Sequence, residues 1–106
     1  MKTFYINLDT ATSRRNKFLN TDYIRWRATQ RDEVPDFINT RMTSMYNFGK
    51  ESHLARCACF LSHTKLLEHI VENKLNDVLI LEDDAIQVND IPKNYPKDSI
   101  TYIGGF

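Results

Sequence analysis

The sequence has no excess of charge of either sign. Fourteen Lys and Arg stand against fourteen Asp and Glu in 106 residues, a formal net charge of zero. A chain that binds nucleic acid ordinarily shows a basic excess, so no nucleic-acid partner is expected. No run approaches the roughly 18–20 apolar residues of a membrane span. The opening Met1-Lys2-Thr3-Phe4-Tyr5-Ile6-Asn7 turns polar too early for a signal peptide. Repeats, linkers and low-complexity tracts are also lacking. The two cysteines, Cys57 and Cys59, lie two apart in an expected helix, where their side chains diverge and a mutual disulfide is geometrically poor. Read as lacking a partner histidine at ligand spacing, they make no zinc site. Small buried thiols in a reducing cytoplasm are the expectation.

What is present is ordinary for a globular protein: 42% hydrophobic and 26% charged residues, which excludes a disordered chain. The length predicts one domain over residues 1–106, with no room for two nucleotide-binding halves. The zero charge hides an asymmetry. Residues 1–53 carry 9 basic and 6 acidic side chains, a net +3, whereas residues 54–106 carry 5 and 8, a net −3.

Thr3-Phe4-Tyr5-Ile6-Asn7-Leu8 is β-branched and aromatic and predicts a buried strand. Thr10 to Ser13 offer helix caps, and Arg14 to Asn20 predict a short helix. Tyr23 to Ala28 alternate as a second strand, and residues 29–51, with Pro35 and Gly49, predict loops and a helical turn. Leu54 to Leu75 carry a broad apolar stripe with Ser52 as a cap and predict a long helix. Val78-Leu79-Ile80-Leu81 is a continuous apolar run, as in a strand buried on both faces of a parallel sheet. Ile100 to Ile103 predict a last short strand. Strand, helix, strand, helix, strand is a doubly wound α/β pattern, in which ligands bind beyond the carboxyl ends of the strands. Two such ends are polar here: Asn7-Leu8-Asp9 and Glu82-Asp83-Asp84.

Three successive carboxylates at the end of a buried strand repel one another, and a divalent cation relieves that repulsion. Mg²⁺ or Mn²⁺ suits carboxylate oxygens shared with a ligand's phosphates. On extended backbone Glu82 and Asp84 point to one side and Asp83 to the other. A solvated acidic turn is the plain alternative. Arg14 and Arg15, just past the first strand, are candidates to face a diphosphate. Arg25 and Arg27 share one face of the second strand and suit edge salt bridges. His63 and His69 sit in the long helix, His69 expected to be exposed, and Ser62-His63 is no nucleophile–base pair because adjacent helical residues do not face each other.

The order of these pieces resembles glycosyltransferase family 25, the lipooligosaccharide-type and collagen-type sugar transferases. Ile6-Asn7-Leu8-Asp9 with Arg14-Arg15 resembles its opening INLD…R(R) motif, and Arg25-Trp26-Arg27-Ala28 its second strand. Glu51 with Arg56-Cys57-Ala58-Cys59-Phe60-Leu61-Ser62-His63 is similar to its GE.GC..SH segment. Leu79-Ile80-Leu81-Glu82-Asp83-Asp84-Ala85 matches its LILEDDA nearly letter for letter, and Ile100 to Gly105 its later YLGG strand. The resemblance implies a GT-A-like (Rossmann-like), mostly parallel sheet with flanking helices, in a compact or truncated version. It implies metal-dependent transfer of a sugar from a nucleotide-diphosphate donor, a uridine diphosphate sugar above all, to a hydroxyl of a glycan, lipooligosaccharide or protein. Glu82-Asp83-Asp84 would then be the DxD-like motif. Asp84 and Glu82 would be the metal residues for Mn²⁺ or Mg²⁺, and Asp83 would contact the ribose or donor sugar. Asn7, Leu8, Asp9, Arg14, Arg15 and His63 would complete the donor side, His63 as structural support.

The resemblance also implies that the acceptor pocket and any general base lie beyond the YLGG strand, so no catalytic base is assigned. Two readings follow from it: an enzyme that completes its site as a homo-oligomer or with another polypeptide, or a truncated nucleotide-sugar and metal-binding module without transfer. A response-regulator receiver shares an acidic strand end, but the 22 residues after Asp84 do not supply its remaining α/β units.

Overall fold

The computed structural model describes residues 1–36, 38 and 50–104, with the side chains of 50–52 left out. Most of the expected loop at 37–49 lies outside the described residues, as do Gly49 and Gly105. Three strands form one parallel sheet: β1 (Lys2–Asn7), β2 (Ile24–Arg27) and β3 (Val78–Glu82), in the order β2-β1-β3. The register pairs Phe4 with Ile24 and Ile80, and Ile6 with Trp26 and Glu82. Short helix α1 (Thr12–Asn16) follows β1, a 3₁₀ turn (Arg31–Glu33) follows β2, and long helix α2 (Lys50–Glu72) leads to β3. This is the expected doubly wound α/β pattern, a compact, three-stranded version of a Rossmann-like fold.

The pleat sorts the sheet's side chains onto two faces. Phe4, Ile6, Trp26, Val78 and Ile80 face α2, where they pack with Ala28, Leu66, Ile70 and Leu75. Leu66 is fully buried there. Tyr5 points the other way and stacks on Phe18, just beyond α1, with ring centroids 4.2 Å apart. The two connections therefore cover opposite faces. Moving outward from β1 to β2 and then back across to β3, each crossover keeps its right-handed sense only if the faces differ. A smaller apolar cluster joins Val34 to Cys57 and Ala58 of α2. Buried Ser62 fastens β2 to α2: its hydroxyl accepts from the Thr29 amide at 2.8 Å and donates to the Ala58 carbonyl at 2.7 Å.

Several local expectations need correction. The first turn of α1 is entered from Ala11 with no side-chain cap, and the helix ends at Asn16 rather than Asn20. Ser52 lies inside α2, which begins at Lys50, so it does not cap that helix. The core stripe of α2 is narrower than the apolar residues suggested, because Phe60, Leu67 and Val71 lie on its exposed side. Residues 100–103 form no strand. Ile100 and Tyr102 are exposed, and without a neighbouring strand to pair with, β-branched and aromatic composition alone does not make one.

The C-terminus of α2 has a Schellman arrangement. Lys74 takes the left-handed conformation (φ 52°), its amide donates to the Val71 carbonyl, and the Leu75 amide reaches back to Ile70 at 3.0 Å. Ile70 and Leu75 both pack on the core, which fixes the turn into β3. Among the described residues no helix is long and apolar enough to cross a membrane.

Candidate functional site

The switch point of the sheet lies between β1 and β3, where the chain reverses the direction in which it adds strands. There the carboxyl ends of β1 and β3 lie side by side, which is where open α/β sheets bind ligands. Asn7 closes β1 and is the hub of this edge, with 1% of its surface exposed. Its Nδ2 donates to Asp83 Oδ2 at 2.9 Å and to the Ala11 carbonyl at 3.0 Å. Its Oδ1 accepts from Arg15 Nε at 2.9 Å and from Arg25 Nε at 3.0 Å. The side chain thus uses both donors and both lone pairs, and one polar residue ties β1, β2, β3 and α1 together.

Asp83 is buried beside it, with Oδ1 accepting from Arg14 Nη1 at 3.3 Å. This contact brings a basic residue of the first half of the chain against an acidic residue of the second. Most of the remaining arginine charge is matched more locally. Asp9 receives Arg25 at 2.6 Å and Arg27 at 2.7 Å, and Arg27 also meets Glu33 at 3.0 Å. The Arg25 and Arg27 guanidiniums hold the Asp9 carboxyl below its usual range. Arg27, followed by the Gln30 amide, does the same for Glu33. Arg15 takes no carboxylate among the described residues; besides Asn7 it donates to the carbonyls of Leu8 (3.2 Å) and Asp9 (2.7 Å), shaping the loop after β1.

The acidic triplet divides at the pleat. Asp83 shares the α1 side with Asn7 and Arg14. Glu82, paired in register with Ile6, turns to the α2 side, where its Oε1 lies 3.6 Å from His63 Nε2. Asp84 has left the strand for an exposed turn, closed by the Ala85 amide donating to the Glu82 carbonyl at 3.1 Å. Asp84 engages no partner among the described residues. The structure therefore brings Asn7, Leu8, Asp9, Arg14, Arg15 and Asp83 together at one end of the sheet. It sets Glu82 and His63 on the other face, with Asp84 beyond the strand end.

Two histidines differ from simple expectation. His69 is only partly exposed and packs edge-on against Phe4 and tilted against Trp26, with centroids at 5.9 and 5.1 Å. His63 has a neighbour that the reading of the cysteines missed. Ligand atoms of Cys59, His63 and Glu82 all lie within 4.8 Å of one another. Cys59 and His63 are four apart on α2, so they share a helix face; that spacing was the available signal. Both thiols are free, but only Cys57 is the buried thiol expected of the pair: it lies in the core, whereas Cys59, two residues on, points off that face and is exposed.

A family model described as glycosyltransferase family 25 (LPS biosynthesis protein) matches residues 1–99. The chain belongs to this family of glycosyltransferases. Comparison with curated proteins and with solved structures finds no match. Membership makes a sugar donor and an acceptor the partners of this chain, and the matched region takes in β1, β2, β3, α1 and α2. In family 25 terms, the Asn7–Asp83 edge is built from the opening strand and the acidic strand, which lie far apart in sequence.

The residues at this edge fit an oxygen-preferring divalent cation at one position. Asp84 presents a solvent-facing carboxylate with no internal partner among the described residues. Mg²⁺ in particular is usually held by one or two carboxylates together with ligand phosphates and water. Asp83 is less available, since both of its oxygens already accept hydrogen bonds.

Proposed function

We propose that the β1–β3 edge binds a nucleotide-diphosphate sugar, a uridine diphosphate sugar above all, and that the chain transfers the sugar to a hydroxyl of a glycan, lipooligosaccharide or protein. The observation that carries this reading is the Asn7–Asp83 hydrogen bond, which joins the two polar strand ends at the sheet's switch point. Mn²⁺ or Mg²⁺ would be held at Asp84 and would supply charge neutralisation of the leaving diphosphate.

The chain's own residues then have distinct tasks. Arg14 has a side chain 61% exposed, so it can exchange part of its contact with Asp83 for a phosphate oxygen. Asp83, oriented by Asn7, keeps a second lone pair on each oxygen to accept a sugar or ribose hydroxyl. Leu8, exposed at the strand end, offers apolar surface to a nucleoside, while Arg15 and the Asp9–Arg25–Arg27 group fix the loop that carries it. His63 and Glu82 buttress the strand end from the α2 side.

The test is metal-dependent release or transfer of sugar from a panel of radiolabelled nucleotide sugars. Turnover with Mn²⁺ that is lost in Asp84→Ala supports the reading. Binding of a donor without turnover supports instead a nucleotide-sugar-binding module.

A further inference from the structure

We propose that Cys59, His63 and Glu82 form a second metal site, on the α2 face of the sheet, selective for a thiolate-accepting divalent ion such as Zn²⁺. The claim goes beyond the donor-site reading and uses none of its residues on the α1 side.

Three chemically different ligand groups converge there from two elements. Cys59 and His63 come from successive turns of α2, and Glu82 from the last position of β3, turned toward that helix by the pleat. Zinc bonds of about 2.0–2.3 Å at tetrahedral angles place neighbouring ligand atoms about 3.3–3.6 Å apart. His63 Nε2 and Glu82 Oε1 already stand at 3.6 Å, and no pair in the trio exceeds 4.8 Å. Side-chain torsions of exposed or half-exposed residues can close a gap of that size without moving the backbone. Both elements are anchored close by: on α2, Ser62 bonds the end of β2 and Leu66 is buried in the core, and β3 is paired with β1 up to Glu82 itself.

The ligand set also speaks to which ion it takes. A thiolate and an imidazole favour Zn²⁺ over Mg²⁺ or Mn²⁺, which prefer oxygen alone. Three protein ligands leave a fourth tetrahedral position for water or a ligand atom, the pattern of an open rather than a closed zinc site. Cys59 is an exposed, free thiol, and it is the thiolate that ligates a metal. On binding, the S–H bond breaks, the proton leaves to solvent and a metal–sulfur bond forms, with no change in oxidation state.

Titration of the metal-free protein with Co²⁺, a spectroscopic stand-in for Zn²⁺, tests this directly. One equivalent should produce a near-ultraviolet thiolate-to-cobalt charge-transfer band and the strong visible absorption of tetrahedral Co²⁺, both displaced by Zn²⁺. Cys59→Ser should abolish the charge-transfer band, and Cys57→Ser and Asp84→Ala should retain it. His63→Gln and Glu82→Gln should each weaken Zn²⁺ binding by at least the roughly 10–100-fold typical of losing even an outer-sphere partner. They provide the decision should Cys59→Ser fail to fold. Weak octahedral absorption alone, or undiminished affinity in the His63 and Glu82 variants, overturns the proposal. The Asp84→Ala arm separates it from the donor reading, since failure of either leaves the other standing.

Discussion

Asn7 Nδ2 donates to Asp83 Oδ2 at 2.9 Å, joining residues 76 positions apart at the adjacent ends of two parallel strands. The bond is neutral-to-charged, buried, and flanked by Arg14, Arg15 and Arg25. It gives Asp83 an orientation that the strand alone would not impose, and it makes Asn7 a structural residue as much as a binding one.

Asn7→Ala should therefore destabilise the fold by about 1–3 kcal/mol, because it leaves buried partners unsatisfied. Asn7→Asp should do more at neutral pH, since it sets a second carboxylate against Asp83. Its deficit should shrink on acidification, as protonation of the introduced carboxyl restores a donor toward Asp83. Urea unfolding of both variants at pH 7 and pH 4 measures this.

The arginine cluster predicts the response of the wild type to acid. Asp9 and Glu33 have folded-state pKa values below their ordinary 3.8 and 4.5. The unfolded chain therefore takes up protons first as pH falls, so the stabilisation is complete above about pH 5 and is lost as pH drops through the folded-state values. The melting temperature should fall between pH 5 and pH 3, and Asp9→Asn should flatten that part of the profile. Both groups are solvent-facing, so added salt should reduce the difference.

Core and surface positions on α2 should separate cleanly. Leu66→Ala removes a fully buried side chain from the core cluster it forms with Phe4, Ile6 and Ala28 and should cost about 2–5 kcal/mol. Phe60→Ala, on the exposed side of the same helix, should stay within about 0.5 kcal/mol. Chemical denaturation of the pair reads the difference.

Lys74 ends α2 in a conformation that disfavours a side chain, with φ at 52°. Lys74→Gly should relieve that strain and raise stability by about 0.5–1 kcal/mol. Thermal unfolding of this single variant is sufficient to check it.

How much of this was legible beforehand varies by element for physical reasons. The apolar run at 3–8 announced a central parallel strand, and β1 is covered on both faces; the run at 78–81 also forms a parallel strand, but at the edge of the described sheet and only half-buried, where one buried on both faces was expected. The long helix was visible in its stripe. The divergence of Glu82 from Asp83 followed from strand alternation, but Asp84 lies past the last ladder pair, where alternation no longer applies. The expected strand at 100–103 failed because propensity cannot supply a pairing partner. Arg14 and Arg15 were visible as candidates facing a phosphate. Their internal engagements, with Asp83 and with the Asn7 side chain, depend on contacts between segments that sequence order does not reveal. Cys59 and His63 are a different case. Their four-residue spacing was visible, but its meaning rests on Glu82 arriving from another element.

The donor reading at the β1–β3 edge is tested most directly by the thermal unfolding of wild type and Asp84→Ala with Mn²⁺ and a uridine diphosphate sugar, added separately and together. The account predicts that the two ligands together raise the wild-type melting temperature by more than the sum of their separate effects, and that this coupling vanishes in Asp84→Ala. A wild type that responds no more to the pair than to either alone, across the panel of nucleotide sugars, would contradict it.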